Sequence, residues 1–316
     1  MRGEKRKRPL IVRLFRLVLT LAVIWVIFRL VTGWVPLMFV DGDPEGLSVN
    51  EELDDEGYNI LLLGEDDADG AAYGRTDTMI VASIHRQTGE LKLTSIMRDT
   101  LVSIPGHGKN KINTAYRFGG PELAMQTVNQ AFGLNITKYV VVQFESFPYL
   151  VEAVGGVRMD ISEEELQPLN RLVLSMRHRF KDSGMDVSEL ASAGENVKLT
   201  GLQAMAYSRI RGIDSDFVRT SRQRRVINAI LGKVRGSFNP VRLIRCGMVA
   251  LEYVETNLNL YQIGALGLKV LGGGGEIRQI RLPADGTYDA GTQDGQWSIR
   301  PNLEKNRALL YEFIYE

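Results

Sequence analysis

The order of apolar and polar positions divides the chain into blocks of contrasting period. Residues 58–63 (YNILLL), 78–84 (TMIVASI) and 91–96 (LKLTSI) are short apolar runs rich in β-formers and bounded by Gly, Asp and Thr, which predicts three strands. The continuous apolarity of the first, and the mostly apolar second, predict burial on both faces, as in a sheet covered by helices. A helix is predicted from Pro121, with Leu123, Ala124, Val128, Ala131 and Phe132 on one face and Gly133 as its stop. Residues 139–144 (YVVVQF) predict another strand, 147–154 a short helix ended by Gly155 and Gly156, and 157–161 (VRMDI) a further strand. Residues 162–197 are mixed and polar, an irregular or helical excursion. From 200 to 257 the period is helical, with interruptions at Gly212 and at Asn239-Pro240. A further helix runs to Leu271, a strand is predicted over 276–282 (EIRQIRL), and a helix over 302–315 closes the chain. Strands alternating with helices predict one α/β domain from residue 58 to residue 316.

Ahead of that domain the pattern is different. The first sixteen residues carry seven basic groups and one acid, Glu4, and the apolar run that follows, 17–40, is broken only by Arg29 and a few small or polar residues. As a helix this run is about 36 Å long, enough to cross a bilayer with some tilt. It is too long for a cleaved signal peptide and lacks a small-x-small site near its end, so it predicts an uncleaved signal anchor. The basic flank, 1–16, then stays cytoplasmic and the rest lies outside the cell membrane. Residues 41–57 hold eight acids and no base, the composition of a solvated spacer.

With 316 residues and 44% apolar content, a sizeable core is available. Net charge is zero, but six arginines fall between Arg209 and Arg225 against only Asp214 and Asp216. Arginine suits phosphate, because its planar fork donates paired hydrogen bonds and keeps its charge. The single cysteine, Cys246, makes no internal disulfide, and three scattered histidines do not form a zinc pattern.

Candidate chemistry gathers at predicted strand ends. The first strand runs into Glu65, Asp66, Asp67 and Asp69, four acids among which spacing does not choose; Arg75, Thr76 and Asp77 precede the second, and Arg98-Asp99 follow the third. Acids that end one strand and precede the next meet at one rim, where carboxylates hold a hard cation and leave phosphate oxygens or water to complete its shell. Taken singly, each is an ordinary turn residue. Residues 103–110 lack the first glycine and the Ser/Thr of a P-loop, and the glycines of 272–275 precede a strand, unlike a dinucleotide fingerprint.

Five ordered blocks, "YNILLLGEDDADGAAYGRTDTMIVASI", "LTSIMRDTLVSIPG", "KINTAYRFGGPELAMQTVNQAFG", "YVVVQFESFPYLVEAVGGVRMDI" and "LTGLQAMAYSRIRGIDSDFVRTSRQRR", resemble the LytR-CpsA-Psr family over residues 58–234. The ending "RLPADGTYD…IRPNLEKNRALLYEFIY" is similar to that family's usual C-terminus. The resemblance implies a mixed central β-sheet flanked by helices, an α/β/α sandwich with an apolar tunnel for a polyprenyl chain, preceded by a single transmembrane helix. It implies a phosphotransferase that moves a glycopolymer phosphate, teichoic acid or capsule, from a polyprenyl pyrophosphate carrier to a peptidoglycan sugar hydroxyl, usually the muramic-acid 6-hydroxyl. The cofactor it implies is magnesium, with manganese as the alternative.

Carried over by position, Asp66 and Asp77 resemble the magnesium-associated carboxylates. Arg75, Arg98, Arg209 and Arg211 align with pyrophosphate-contacting arginines, and Arg219, Arg222 and Gln223 with the phosphate-site block that follows. Asp99 joins Arg98, Arg209 and Arg211 in the catalytic set, and Lys111 and Asn113 join the binding set; Arg224 and Arg225 are left to face water. Two departures stand out. Met97 replaces a usual proline, and the family's commoner Gly-Asp-Phe-Gly-Arg reads here as Ser215 to Arg219, with a shorter loop after Arg211.

Two other readings compete. Water in place of the sugar makes a polyprenyl pyrophosphate phosphatase, and loss of catalysis makes a membrane-bound regulator or transcription attenuator. An anchor that puts the arginines across the membrane from the chromosome, with no helix-turn-helix pattern, argues against nucleic acid as a partner. A topology reporter fused after Glu316 is expected to be active only outside the cytoplasm; a cytoplasmic signal overturns the orientation.

Overall fold

The computed structural model describes residues 57–66, 72–211, 216–236, 252–273, 277–293 and 295–315, with 47, 50 and 53, and for 216–219, 260 and 293 the backbone alone. The predicted tail and anchor lie outside the described residues, among which no helix is long and apolar enough to cross a membrane. A compact unit runs from Gly46 to Glu316. Within the acidic segment, Leu53 is buried, Leu47 packs against the core, and the Asn50 N–H donates to Leu134 O at 3.3 Å.

The centre is a six-stranded mixed sheet. In chain order its strands are β1 (Gly57–Glu65), β2 (Thr76–His85), β3 (Leu91–Ile96), β6 (Lys138–Gln143), β9 (Val254–Thr256) and β10 (Arg278–Leu282), arranged β10-β3-β2-β1-β6-β9. β1 is antiparallel to β2 and β2 to β3, whereas β6 lies parallel to β1 and β10 parallel to β3. Alternation along β1 sends Leu61 and Leu63 to one face and Ile60 and Leu62 to the other. The first face is sealed by α1 (Thr114–Phe132) and α7 (Leu303–Tyr315). The second meets α5 (Asp216–Gly236) and α6 (Leu260–Gly272) through Ile227, Leu231, Leu266 and Val270, all only partly buried.

A second core stands beside the sheet. It is built from α2 (Phe147–Ala153), β7 (Val157–Ile161), α3 (Glu163–Phe180), β8 (Gly194–Leu199) and α4 (Gly201–Ser208), with Val226 of α5 closing it. Two hairpins complete the chain: β4 (Leu101–Ile104) with β5 (Gly108–Lys111), and β11 (Tyr288–Gln293) with β12 (Gln296–Pro301).

The expected strands of the sheet are all present, and the P-loop-like stretch is the β4–β5 turn. Three details differ from the pattern. The predicted helical stretch 200–257 contains β9, because Val254–Thr256 finds an open edge on β6 and tertiary pairing overrides local period. The polar excursion 162–197 holds the regular helix α3 and the start of β8. α1 begins at Thr114 and is broken at Gly119 and Gly120 before Pro121 starts the long segment. Gly120, with φ of 64°, is required there, since a Cβ would stand 2.8 Å from the Tyr73 ring.

Close approach also demands Gly201 at the start of α4. A Cβ there would lie 2.2 Å from Pro148 O, a backbone atom that cannot swing aside, whereas Gly232 in α5 faces open space. Gly201→Ala is expected to destabilise by about 2 kcal/mol, and Gly232→Ala to stabilise by up to ~1 kcal/mol. Thermal denaturation of the two variants checks the opposite signs.

Candidate active site

Strand direction places the chemistry at one end of the sheet. β1, β3 and β6 finish at that end and β2, running the other way, begins there, so Asp66, Arg98, Phe144 and Asp77 share a rim. Antiparallel pairing brings Glu65 opposite Thr76, and the Asp66 N–H donates to Arg75 O at 2.8 Å. The loop before β2 is braced from beneath. Glu65 Oε1 accepts the Gly74 N–H at 2.7 Å and Oε2 accepts the Tyr116 hydroxyl at 3.3 Å. Burial, with the Glu65 charge beside it, pushes the Tyr116 hydroxyl far above its ordinary range, so it stays a donor.

Two arginines arrive from a different element. α4 starts with a reciprocal cap, Gln203 N–H to Thr200 Oγ1 at 3.3 Å and Thr200 N–H to Gln203 Oε1 at 3.0 Å. It ends at Arg209, and the fully buried Ile210 pins the chain so that the residues on either side turn outward. Arg209 Nη2 stands 3.4 Å from Asp66 Oδ1, with its guanidinium 4.1 Å from the centre of the Phe144 ring. Arg211 Nη2 donates to Asp77 Oδ2 at 2.8 Å, and Arg98 Nη1 donates to Asp77 Oδ1 at 2.5 Å. One carboxylate is thus gripped at both oxygens by arginines from separate parts of the chain.

Arg98 is oriented by its neighbour. Asp99, nearly buried, takes Arg98 Nε at 3.3 Å and Lys111 Nζ at 2.7 Å. With both oxygens committed to cations, Asp99 is a support for Arg98. Met97 contributes through its backbone: its N–H donates to Leu282 O at 2.8 Å, a bond that a proline there could not make. The Asn113 N–H donates to Arg98 O at 3.3 Å, and its buried Oδ1 has no hydrogen-bond partner among the described residues. A narrow cleft beside Asp77 and Arg98 is lined by Ser95, Thr220 and Gln223. Arg75 is exposed on the same rim.

Other expected residues lie elsewhere. Arg222 is 2% exposed and turns into the second core, where Nε donates to Glu165 Oε1 at 2.9 Å, so it is a structural cation and does not face the rim. Tyr207 donates to the same oxygen at 3.1 Å. Burial alone raises Glu165, but the hydrogen bonds from Arg222 and the Ser162 N–H, the Arg222 charge and the Tyr207 hydroxyl outweigh it and hold the carboxyl below its ordinary value. Tyr207 is pushed up to about 12 by burial and by the Glu165 charge. Arg225 does not simply face water: Nη2 donates to Asp160 O at 2.6 Å, and Nη1 stands 3.8 Å from Glu165. Arg224 is half-buried beside Arg281, and desolvation followed by that neighbour's charge lowers its pKa. The Arg219 side chain lies outside the described residues.

Sequence reasoning missed Phe144, Glu65 and Glu165. Glu65 was visible as the first of the four acids. Phe144 directly follows a predicted strand at the chemical end of the sheet. Glu165 gave no signal apart from its place three residues after Ser162.

Asp66 and Asp77 fit a hard cation in donor chemistry, being carboxylates on adjacent strand ends, both partly exposed. Among the described residues no group of three or more His, Cys, Asp or Glu could enclose a metal. A divalent cation held by these two carboxylates alone would need other oxygens to complete its shell.

A mixed sheet flanked by helices, with arginines and aspartates paired along one end, defines an α/β domain with a charged rim. The chain belongs to the LytR_cpsA_psr family, whose model matches residues 40–309. It is similar to the polyisoprenyl-teichoic acid–peptidoglycan teichoic acid transferase TagU of Oceanobacillus iheyensis, 32% identical over 81% of this chain and 76% of that one. It is also similar to the regulatory protein MsrR of Staphylococcus aureus, 28% identical over 82% of this chain and 74% of the relative. Among solved structures, TagV of B. subtilis superposes with a TM-score of 0.65 at 28% identity, covering 82% of this chain and 98% of that one.

Because Glu165 is depressed in the folded state, its contribution to stability is complete above its ordinary pKa of 4.5 and is lost as pH falls through the lower folded value. Denaturant midpoints should accordingly fall on the acid side of that value. Arg222→Ala, which strands a buried carboxylate, is expected to cost about 3 kcal/mol at neutral pH. A midpoint unchanged in that variant contradicts the structural role of Arg222.

Proposed function

We propose that this protein transfers a glycopolymer phosphate from a polyprenyl pyrophosphate carrier to a sugar hydroxyl of peptidoglycan, outside a membrane in which residues 17–40 anchor it. The observation that carries this reading is the convergence of Arg98 and Arg211 on Asp77, with Arg209 on the neighbouring Asp66. Arg75, Arg98, Arg209 and Arg211 outnumber the two carboxylates between them, an excess of positive charge that suits the two negative charges of a disubstituted pyrophosphate. The name of the transferase relative supports the same chemistry. The partly buried apolar face under α5 and α6 suits the polyprenyl chain.

In this mechanism the donor's phosphates take the guanidinium groups over from the carboxylates. Asp66 and Asp77 would hold magnesium, which when bound neutralises charge on phosphate oxygens. The sugar oxygen bonds to the glycan-side phosphorus while the bond from that phosphorus to the bridging oxygen breaks. Polyprenyl phosphate leaves, and the hydroxyl proton passes to water or to a carboxylate. Arg98, steadied by Asp99, and Arg211 offset the charge that grows on the departing oxygen, and positioning supplies much of the rest.

The full chain in lipid or detergent, given labelled lipid-linked glycan and peptidoglycan, is expected to form covalent wall product. Arg98→Ala and Asp77→Ala should each lower turnover at least about a hundredfold with the fold intact by circular dichroism, and chelation should stop the reaction until magnesium is restored. The relative named as a regulator favours a second reading without catalysis, which the absence of any product would support. Free phosphorylated glycan with no wall product would establish a phosphatase instead.

A further inference from the structure

Among the described residues, six large apolar side chains are exposed: Phe118, Leu174, Leu268, Trp297, Leu309 and Tyr311. Trp297 sits on the strand tied directly to the backbone of Asp99. The Ile299 N–H donates to Asp99 O at 3.0 Å, and Thr100 pairs with Ile299 in a parallel bridge. Trp297 stands two residues before Ile299 on that strand, so the strand brings it to the neighbourhood of the turn that carries Arg98 and Asp99.

That position is braced. β11 and β12 pair without a shift from Tyr288↔Pro301 to Gln293↔Gln296, with Thr292 opposite Trp297. At the base of the hairpin, Asn302 N–H donates to Thr287 O at 2.7 Å, and the fully buried Asn306 holds the Thr287 side chain. A rigid ribbon thus keeps 38% of an indole in water, apolar surface left exposed with no packing gained.

We infer that Trp297 is the stacking platform for the acceptor's sugar ring, a reading that rests on the transferase function proposed above. The direction of attack selects this occupant. In-line transfer requires the entering hydroxyl and the leaving polyprenyl phosphate on opposite sides of the phosphorus. Asp77, which Arg211 also grips, meets Arg98 at Nη1, whereas Asp99 and the hairpin behind it meet Arg98 at Nε. With the lipid on the α5 and α6 side, the acceptor enters from the hairpin. A pyranose presents an apolar C–H face and a polar hydroxyl edge. Laid on the electron-rich indole face, it directs its hydroxyls outward along the rim.

Three tryptophans occur in the chain, Trp25, Trp34 and Trp297, so the full chain carrying Trp25→Phe and Trp34→Phe reports on Trp297 alone. Titration with a soluble, lipid-free peptidoglycan oligosaccharide should change its fluorescence saturably, whether or not turnover occurs. In the transfer assay, Trp297→Ala should raise the acceptor KM about tenfold, the scale of one stacking contact. The donor KM and donor hydrolysis by water should not move, Trp297→Phe should recover most of the loss, and Tyr311→Ala, on α7, should behave as wild type. A flat titration with an unchanged acceptor KM overturns the platform even if transfer is intact, and a response to lipid vesicles in place of the oligosaccharide overturns it equally.

Discussion

The grip of Arg98 and Arg211 on the two oxygens of Asp77 is the contact around which the rim is organised. Guanidinium groups a few ångströms apart repel by roughly 4 kcal/mol at an effective dielectric of about 20. They share one corner because carboxylates lie between them and because the backbone on each side is fixed independently. Arg98 is fixed by the Met97 and Asn113 hydrogen bonds and by Asp99. Arg211 is fixed by a capped helix and a buried isoleucine. Partial exposure matters equally, since a fully buried cluster would bind its own acids too firmly to exchange them for a phosphate.

A second arginine–carboxylate pair shows the alternative. Arg222 and Glu165 have side chains 3% and 8% exposed and share Tyr207 as a third partner. This pair supports the helix junction from which Arg209 and Arg211 project. The same chemical pair is thus sealed from water beside Tyr207 and open to it at the rim.

The two faces of the sheet are treated differently. Beneath, α7 ties the first face together: Arg307 Nε donates to Ala131 O at 2.8 Å, Nη2 donates to Gln130 O at the end of α1, and the buried Lys92 Nζ donates to Ile314 O at 3.1 Å. Above, α5 and α6 cover the sheet with half-buried side chains. The tightly packed face supplies stiffness to the strands that carry the rim. The hairpins beyond β3 complete the rim from the side opposite α4.

Much of the framework was legible in the sequence, because burial on both faces leaves continuous apolar runs and because glycine and proline mark the ends of elements. The strands β1, β2, β3, β6 and β10, the stop at Gly133, and the acids and arginines at strand ends were all readable locally. Spacing alone did not choose among four acids; among the described residues, Asp66 pairs with Arg209 and its N–H donates to Arg75 O. Nor did local sequence separate Arg222 from Arg211, since both are arginines near one helix junction, and their roles depend on which way the helix turns when Glu165 approaches from a strand-flanked helix far away in sequence. β9 and the tie of β12 to the Asp99 backbone likewise depend on partners remote along the chain. Residue type and period are properties of the chain itself, but a side chain's partner, and hence its use, is set only when distant segments pack.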